Sequence, residues 1–192
     1  PLRPGAESDT VSKLYFNLDD TLDIVNDKIN AAIDRAKNLK GPNSMDKLAA
    51  KLCRTPFLLT FGIGFLKLLD KFFTLPMSIV DASPFHTSLF VTNLASIRTN
   101  TIYHHLYEFG TTGVFVSMGQ PMKKIVKNGE TVEEKKIMEL GIVTDERIAN
   151  GHYYGRCFKE LSRYYKNPAL LETPPETIVK DPHVRKKNPK WI

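Results

Sequence analysis

The chain has 192 residues, 42% apolar and 25% charged, a composition that supports one sizeable core and excludes an intrinsically disordered polymer. Its net charge of +6 is uneven, with Arg185, Lys186, Lys187 and Lys190 crowded beside Trp191 in the last residues. No stacked aromatics or recognition motif accompany them, so they read as a solvated tail over 176–192 and not as a nucleic-acid site. Cys53 and Cys157 lack metal-ligand spacing; two reduced, buried thiols are expected, as in a cytoplasmic protein.

Residues 1–10 form a Pro/Gly-containing lead-in, with no continuous apolar run that would read as a signal peptide. Alternation over 11–18 predicts a strand. Asp19 or Asp20 then caps a helix whose Leu22, Val25, Ile29, Ala32, Ile33 and Ala36 make one apolar stripe ending near Gly41 and Pro42. A second helical segment starts at Asn43 and Ser44. From Pro56 the chain becomes strongly apolar, PFLLTFGIGFLKLLDKFFTLP, but Lys67, Asp70 and Lys71 interrupt the run before it can cross a bilayer. Those charges recur at helical spacing, which predicts a helix with one polar face. Its broad apolar face is expected to be buried against the body or a neighbouring subunit, with a membrane surface or a docking partner as the alternative.

Residues 86–93 read as a strand with Ser88, Phe90 and Thr92 on one face. A long connection over 94–112 carries His104 and His105, whose adjacency directs them apart and argues against a chelating pair; no metal site is expected. GVFVSMG over 113–119 is a compact buried strand, and Asn128 with Gly129 signals a two-residue hairpin between 122–126 and 131–135. Met138, Leu140 and Ile142 alternate in a last strand. After Asn150 and Gly151, Tyr154, Cys157, Phe158, Leu161 and Tyr165 recur at helical spacing until Asn167 and Pro168 stop the helix.

Three of these stretches resemble one family. Asp145-Glu146-Arg147-Ile148-Ala149-Asn150-Gly151 is similar to the His-x-x-x-Asp/Asn-Gly motif of the catalytic domain of dihydrolipoamide acyltransferases, the core subunits of 2-oxo acid dehydrogenase complexes, and of the related chloramphenicol acetyltransferases. Asn167-Pro168-Ala169-Leu170-Leu171 resembles the NPxLL that closes the family's last helix, and Phe90-Val91-Thr92-Asn93-Leu94 resembles its T-[IV]-S-N-L-G strand. The resemblance covers roughly residues 8–175 and is treated as one domain over 1–175. It implies an α/β two-layer sandwich, a mixed sheet with helices on one face, in a homotrimer whose active sites lie between subunits. The family's domain is longer, so a missing N-terminal part is expected to come from another segment or subunit.

The resemblance also implies a chemistry. The family transfers acyl groups between coenzyme A and a lipoyl thiol, or to a hydroxyl, using a histidine base and a strand hydroxyl that stabilises the oxyanion. Carried over by position, Thr92 is that hydroxyl, Asn150 the supporting polar group, and Ser88 and Gly151 belong to the coenzyme A side. Glu146 stands where the histidine should be. A thiol has a pKa of about 8.5 and a glutamate about 4.3, so proton transfer is uphill by roughly 6 kcal/mol, against roughly 3 kcal/mol for a histidine. Burial of the carboxyl would narrow the gap, while Arg147 beside it would hold it ionised. A non-catalytic trimeric scaffold of the same family is therefore the alternative. A membrane-surface or docking role for 57–75 with the basic tail is a third reading.

Overall fold

The computed structural model describes residues 11–38, 56–73 and 75–178, and the protein is α+β. These residues divide into two compact units: 56–73 with 75–150, and 11–38 with 151–178. The second helical segment, Cys53 and the residues of the tail beyond 178 lie outside the described residues.

The first unit is built on a three-stranded mixed sheet. β1 (Leu89–Asn93) runs parallel to β2 (Val114–Met118), which pairs antiparallel with β5 (Leu140–Thr144). Central β2 is the most apolar strand and the best covered, with Phe115 at 3% and Ser117 at 0% exposure. Parallel neighbours cannot be joined by a tight turn. The chain accordingly leaves β1 through a 3-10 turn at Leu94–Ile97, passes Arg98 in the left-handed region (φ 57°), and returns over the sheet before β2. Register puts Phe90, Thr92, Phe115, Ser117, Gly141 and Val143 on the face it crosses.

Serine and glycine make that crossing possible. Ser117 Oγ donates to Ile102 O (2.5 Å), accepts from Ile102 N (3.2 Å) and meets Thr101 Oγ1 at 2.7 Å. A Cβ on Gly141 would lie 2.6 Å from both Ser117 Oγ and Thr101 Oγ1, and one on Gly119 would lie 2.6 Å from Thr101 N. Larger residues at either position would push the crossing strap off the sheet. Farther along, the ring of His104 stacks on Phe115 at 4.5 Å, and Phe90 stacks on the other side at 5.2 Å. The His104 and His105 rings do not diverge as their adjacency suggested; they stack 4.8 Å apart, because His104 Nδ1 lies 2.6 Å from the His105 carbonyl oxygen.

β3 (Met122–Asn128) and β4 (Thr131–Ile137) form a separate hairpin. Its loop is Gly129 and Glu130, one residue later than the Asn-Gly signal placed it, with Asn128 already paired to Thr131. Gly129 alone takes positive φ (63°), the first-position glycine of a II′-type turn, which shifts the tight pair forward. The strands are exposed and lysine-rich, with Lys123 paired to Glu134 and Lys124 to Glu139.

Helix α2 (Pro56–Phe72) takes in most of the apolar run, and α3 (Met77–Ala82) follows. The apolar face expected to be buried is largely open: Phe61 and Phe72 are 69% and 65% exposed. No helix among the described residues is long and apolar enough to cross a membrane.

In the second unit, residues 11–17 form no regular element and no ladder, so the strand read over 11–18 is absent there; alternation specifies a face, and a strand also needs a partner. α1 is Leu22–Asn38. Asp20 ahead of it accepts from Asn17 N (2.9 Å) and pairs with Lys28, and the lysine bond holds its carboxyl below the usual range. Ala32 is the buried residue of its stripe. α4 (Gly151–Lys166) is strongly amphipathic and ends at Asn167 before a 3-10 turn at Pro168–Leu171. Cys157, expected to be buried, is an exposed free thiol: it shares the side of the helix that carries half-buried Tyr154 and Tyr164, but no residue of α4 is buried.

Candidate functional site

The turn after β5 is organised by its first residue. Asp145 N donates to Gly113 O (2.9 Å), which fastens the turn to the start of β2, and Ile148 N returns to Asp145 O (3.0 Å). The Ile148 side chain lies over Gly113, where a Cβ would collide with it. Arg147 forks onto the Asp145 carboxylate, with Nε at 2.9 and 3.0 Å and Nη2 at 2.7 Å, while its backbone N–H donates to the same group. Those bonds hold Asp145 below the usual carboxylate range and raise Arg147. Arg147 therefore engages Asp145 and not its neighbour Glu146, which is exposed.

Thr92 sits half-buried near the far end of β1, in register with Ser117, on the face under the crossing strap. Ser88 precedes β1 and is exposed, as is Asn150; Gly151 opens α4 in the second unit. Within one chain Thr92 and Glu146 are not brought together. Register aligns Leu89, Val114 and Thr144 at one end of the sheet. Thr92 is three residues down from that end and two strands across, so spacings of about 3.3 Å per residue and about 4.8 Å per strand put it about 14 Å from Thr144, two residues before Glu146. A base and an oxyanion donor must both lie within about 3 Å of the reacting groups. Neither of two clefts found among the described residues is lined by Glu146, Thr92 or Asn150.

The structure does assemble residues that the sequence did not pair. His86, only 2% exposed, has Nδ1 at 2.8 Å from Ser83 Oγ and Nε2 at 3.4 Å from Asp70 Oδ1 on α2. A carboxylate can only accept, so Nε2 carries the proton that faces Asp70, and Nδ1 accepts from Ser83. This is a Ser-His-Asp array, which the sequence gave no cause to expect; the only local signal was the Ser83/His86 spacing of three. Ser83 is 8% exposed and also accepts from Phe85 N (3.3 Å), so its hydroxyl is engaged within the turn. The array is a clasp that ties α2 to the turn before β1. Phe109, edge-on to His86 at 5.1 Å, separates it from an open cleft of about 310 Å³ lined also by Lys67, Phe85, Tyr107 and Glu108.

No group of three or more metal-ligating side chains occurs among the described residues. Comparison with models of known protein families finds no match, and no characterised protein matches the sequence.

Proposed function

We propose that the chain is an acyltransferase of the dihydrolipoamide acyltransferase family, with a chloramphenicol acetyltransferase-like fold, that moves an acyl group to or from coenzyme A. The observation that carries this reading is the order of parts: a Thr92 strand in a mixed sheet, an Asp145-Glu146-Arg147 turn after an antiparallel strand, and an Asn150/Gly151 step into a helix closed by Asn167 and Pro168. In the reaction, the Glu146 carboxylate takes the acceptor's proton as its sulfur or oxygen attacks the thioester carbonyl. Thr92 donates to the oxyanion; collapse breaks the carbon–sulfur bond, and the departing coenzyme A thiolate recovers the proton. With about 14 Å between Thr92 and Thr144, two residues before Glu146, this reading takes the Glu146 and Thr92 of one site from different copies, as in a homotrimer. A cytoplasmic location belongs to the same reading.

A non-catalytic scaffold of that family is the second reading, favoured by the exposure of Glu146 and by its place outside the two clefts described above. Isothermal titration with coenzyme A and acetyl-CoA, on the wild type and on Glu146→Gln and Thr92→Ala, separates the two. The enzyme reading expects micromolar binding in all three, with acyl transfer lost in Glu146→Gln. Intact trimers that bind neither ligand overturn it and leave the scaffold.

A further inference from the structure

Helix α2 turns a stripe of large apolar side chains to solvent. Phe61, Phe65, Leu68 and Phe72 follow at spacings of four, three and four, which holds them within about 60° of one another along about 16 Å of helix. They are 69%, 54%, 54% and 65% exposed, and Phe73, just past the helix, is 69% exposed. The flank toward the unit's interior is already occupied: Leu66 and Leu69 are half-buried, and Asp70 is held by His86. On the opposite flank stands Lys71, whose ammonium lies 5.5 Å over the Phe72 ring, and farther round the helix Lys67, at the edge of the cleft beside Phe109. Asp70 is the helix's one acidic residue, and it faces away from the stripe.

We propose that this stripe lays α2 flat on an anionic lipid surface, its phenylalanines and leucine among the acyl chains and Lys67 and Lys71 at the headgroups. Aromatic anchors beside lysines are the composition of an interfacial helix, and 17 residues interrupted by three charges suit lying on a bilayer better than spanning it. A second copy of the chain is the competing occupant, and charge opposes it. An antiparallel two-fold contact would set the stripe against itself and each lysine pair beside the same pair, on chains that each carry +6. Anionic headgroups meet those lysines with the opposite sign. The proposal is independent of the acyltransferase reading.

The test is sedimentation of the full chain with vesicles of phosphatidylcholine alone, or mixed with phosphatidylserine. The chain should pellet with the anionic vesicles and much less with the neutral ones. Phe65→Glu with Phe72→Glu should cut the bound fraction at least about tenfold, and Lys67→Gln with Lys71→Gln, or high salt, should weaken it by a similar factor. The replaced side chains are exposed, so circular dichroism and the urea midpoint should stay unchanged. Unchanged pelleting of the phenylalanine variant overturns the proposal, because the basic tail or another surface then carries the binding. Failure of the wild type to pellet also overturns it, and an oligomer dissolved by the same double substitution assigns the stripe to a second copy.

Discussion

Replacing Ser117 by alanine removes one oxygen and should loosen the entire strap over the sheet. In the native protein that hydroxyl uses its full capacity: one donated bond to Ile102 O and two accepted, from Ile102 N and Thr101 Oγ1. Alanine fits the space, so the cost comes from the backbone N–H and C=O of Ile102 that lose their partner beneath the strap. At about 1–3 kcal/mol for each polar group left unsatisfied, partly relieved by water at the strap's edge, the loss should be about 2–4 kcal/mol. With an m-value near 2 kcal/mol per molar, the urea midpoint should fall by about 1–2 M. Thr101→Val should cost less, and the double variant less than the sum of the two, because both act on one network. A Ser117→Ala midpoint within about 0.3 M of wild type, at unchanged m-value, would refute the argument and show that the strap is held by its aromatic stacking alone.

Two further outcomes are expected. Glu146→His should raise acyl transfer to a thiol by about a hundredfold, since it removes roughly 3 kcal/mol of proton-transfer mismatch; a variant no faster than wild type, with coenzyme A binding intact, would mean that residue 146 is not the base. Asp145 has its folded-state pKa depressed by the Arg147 fork, so the folded protein binds fewer protons there than the unfolded chain. Its contribution is present above the unfolded value of about 3.9 and disappears as pH falls through the lower folded one. Urea midpoints of wild type and Asp145→Asn should therefore differ at pH 6 and converge below pH 4; a constant gap would place the effect outside this ion pair.

What the sequence revealed follows the range of the interactions involved. The hairpin, β5 and α4 were legible because Gly129, the alternation around Leu140 and the helical spacing after Gly151 are local signals. The 11–18 strand was misread because alternation says nothing about a partner. α2 was legible as a helix, but periodicity identifies an apolar face without telling what covers it. The strap and the Ser83/His86/Asp70 clasp were invisible, since each depends on residues about 15 positions apart meeting only after the fold is made. At the candidate site the departure at Glu146 was plain from the motif, whereas the allegiance of Arg147 was not. Glutamate beside it and aspartate two residues back compete for the same fork, and only the curl of the turn decides for Asp145.

The β3–β4 hairpin has a consequence for the order in which the sheet assembles. β2 and β5 are joined by about 20 residues, but once Met122 faces Ile137 only a few residues remain between the ends to be joined. Loop-closure entropy grows as 1.5 RT times the logarithm of length, so the preformed hairpin lowers the cost of meeting by about 1 kcal/mol. β1 receives no such help: it must wait for the whole strap to settle. The exposed, charged hairpin thus acts as a kinetic shortcut that lets the antiparallel half of the sheet form early and serve as the template on which the parallel strand is laid last.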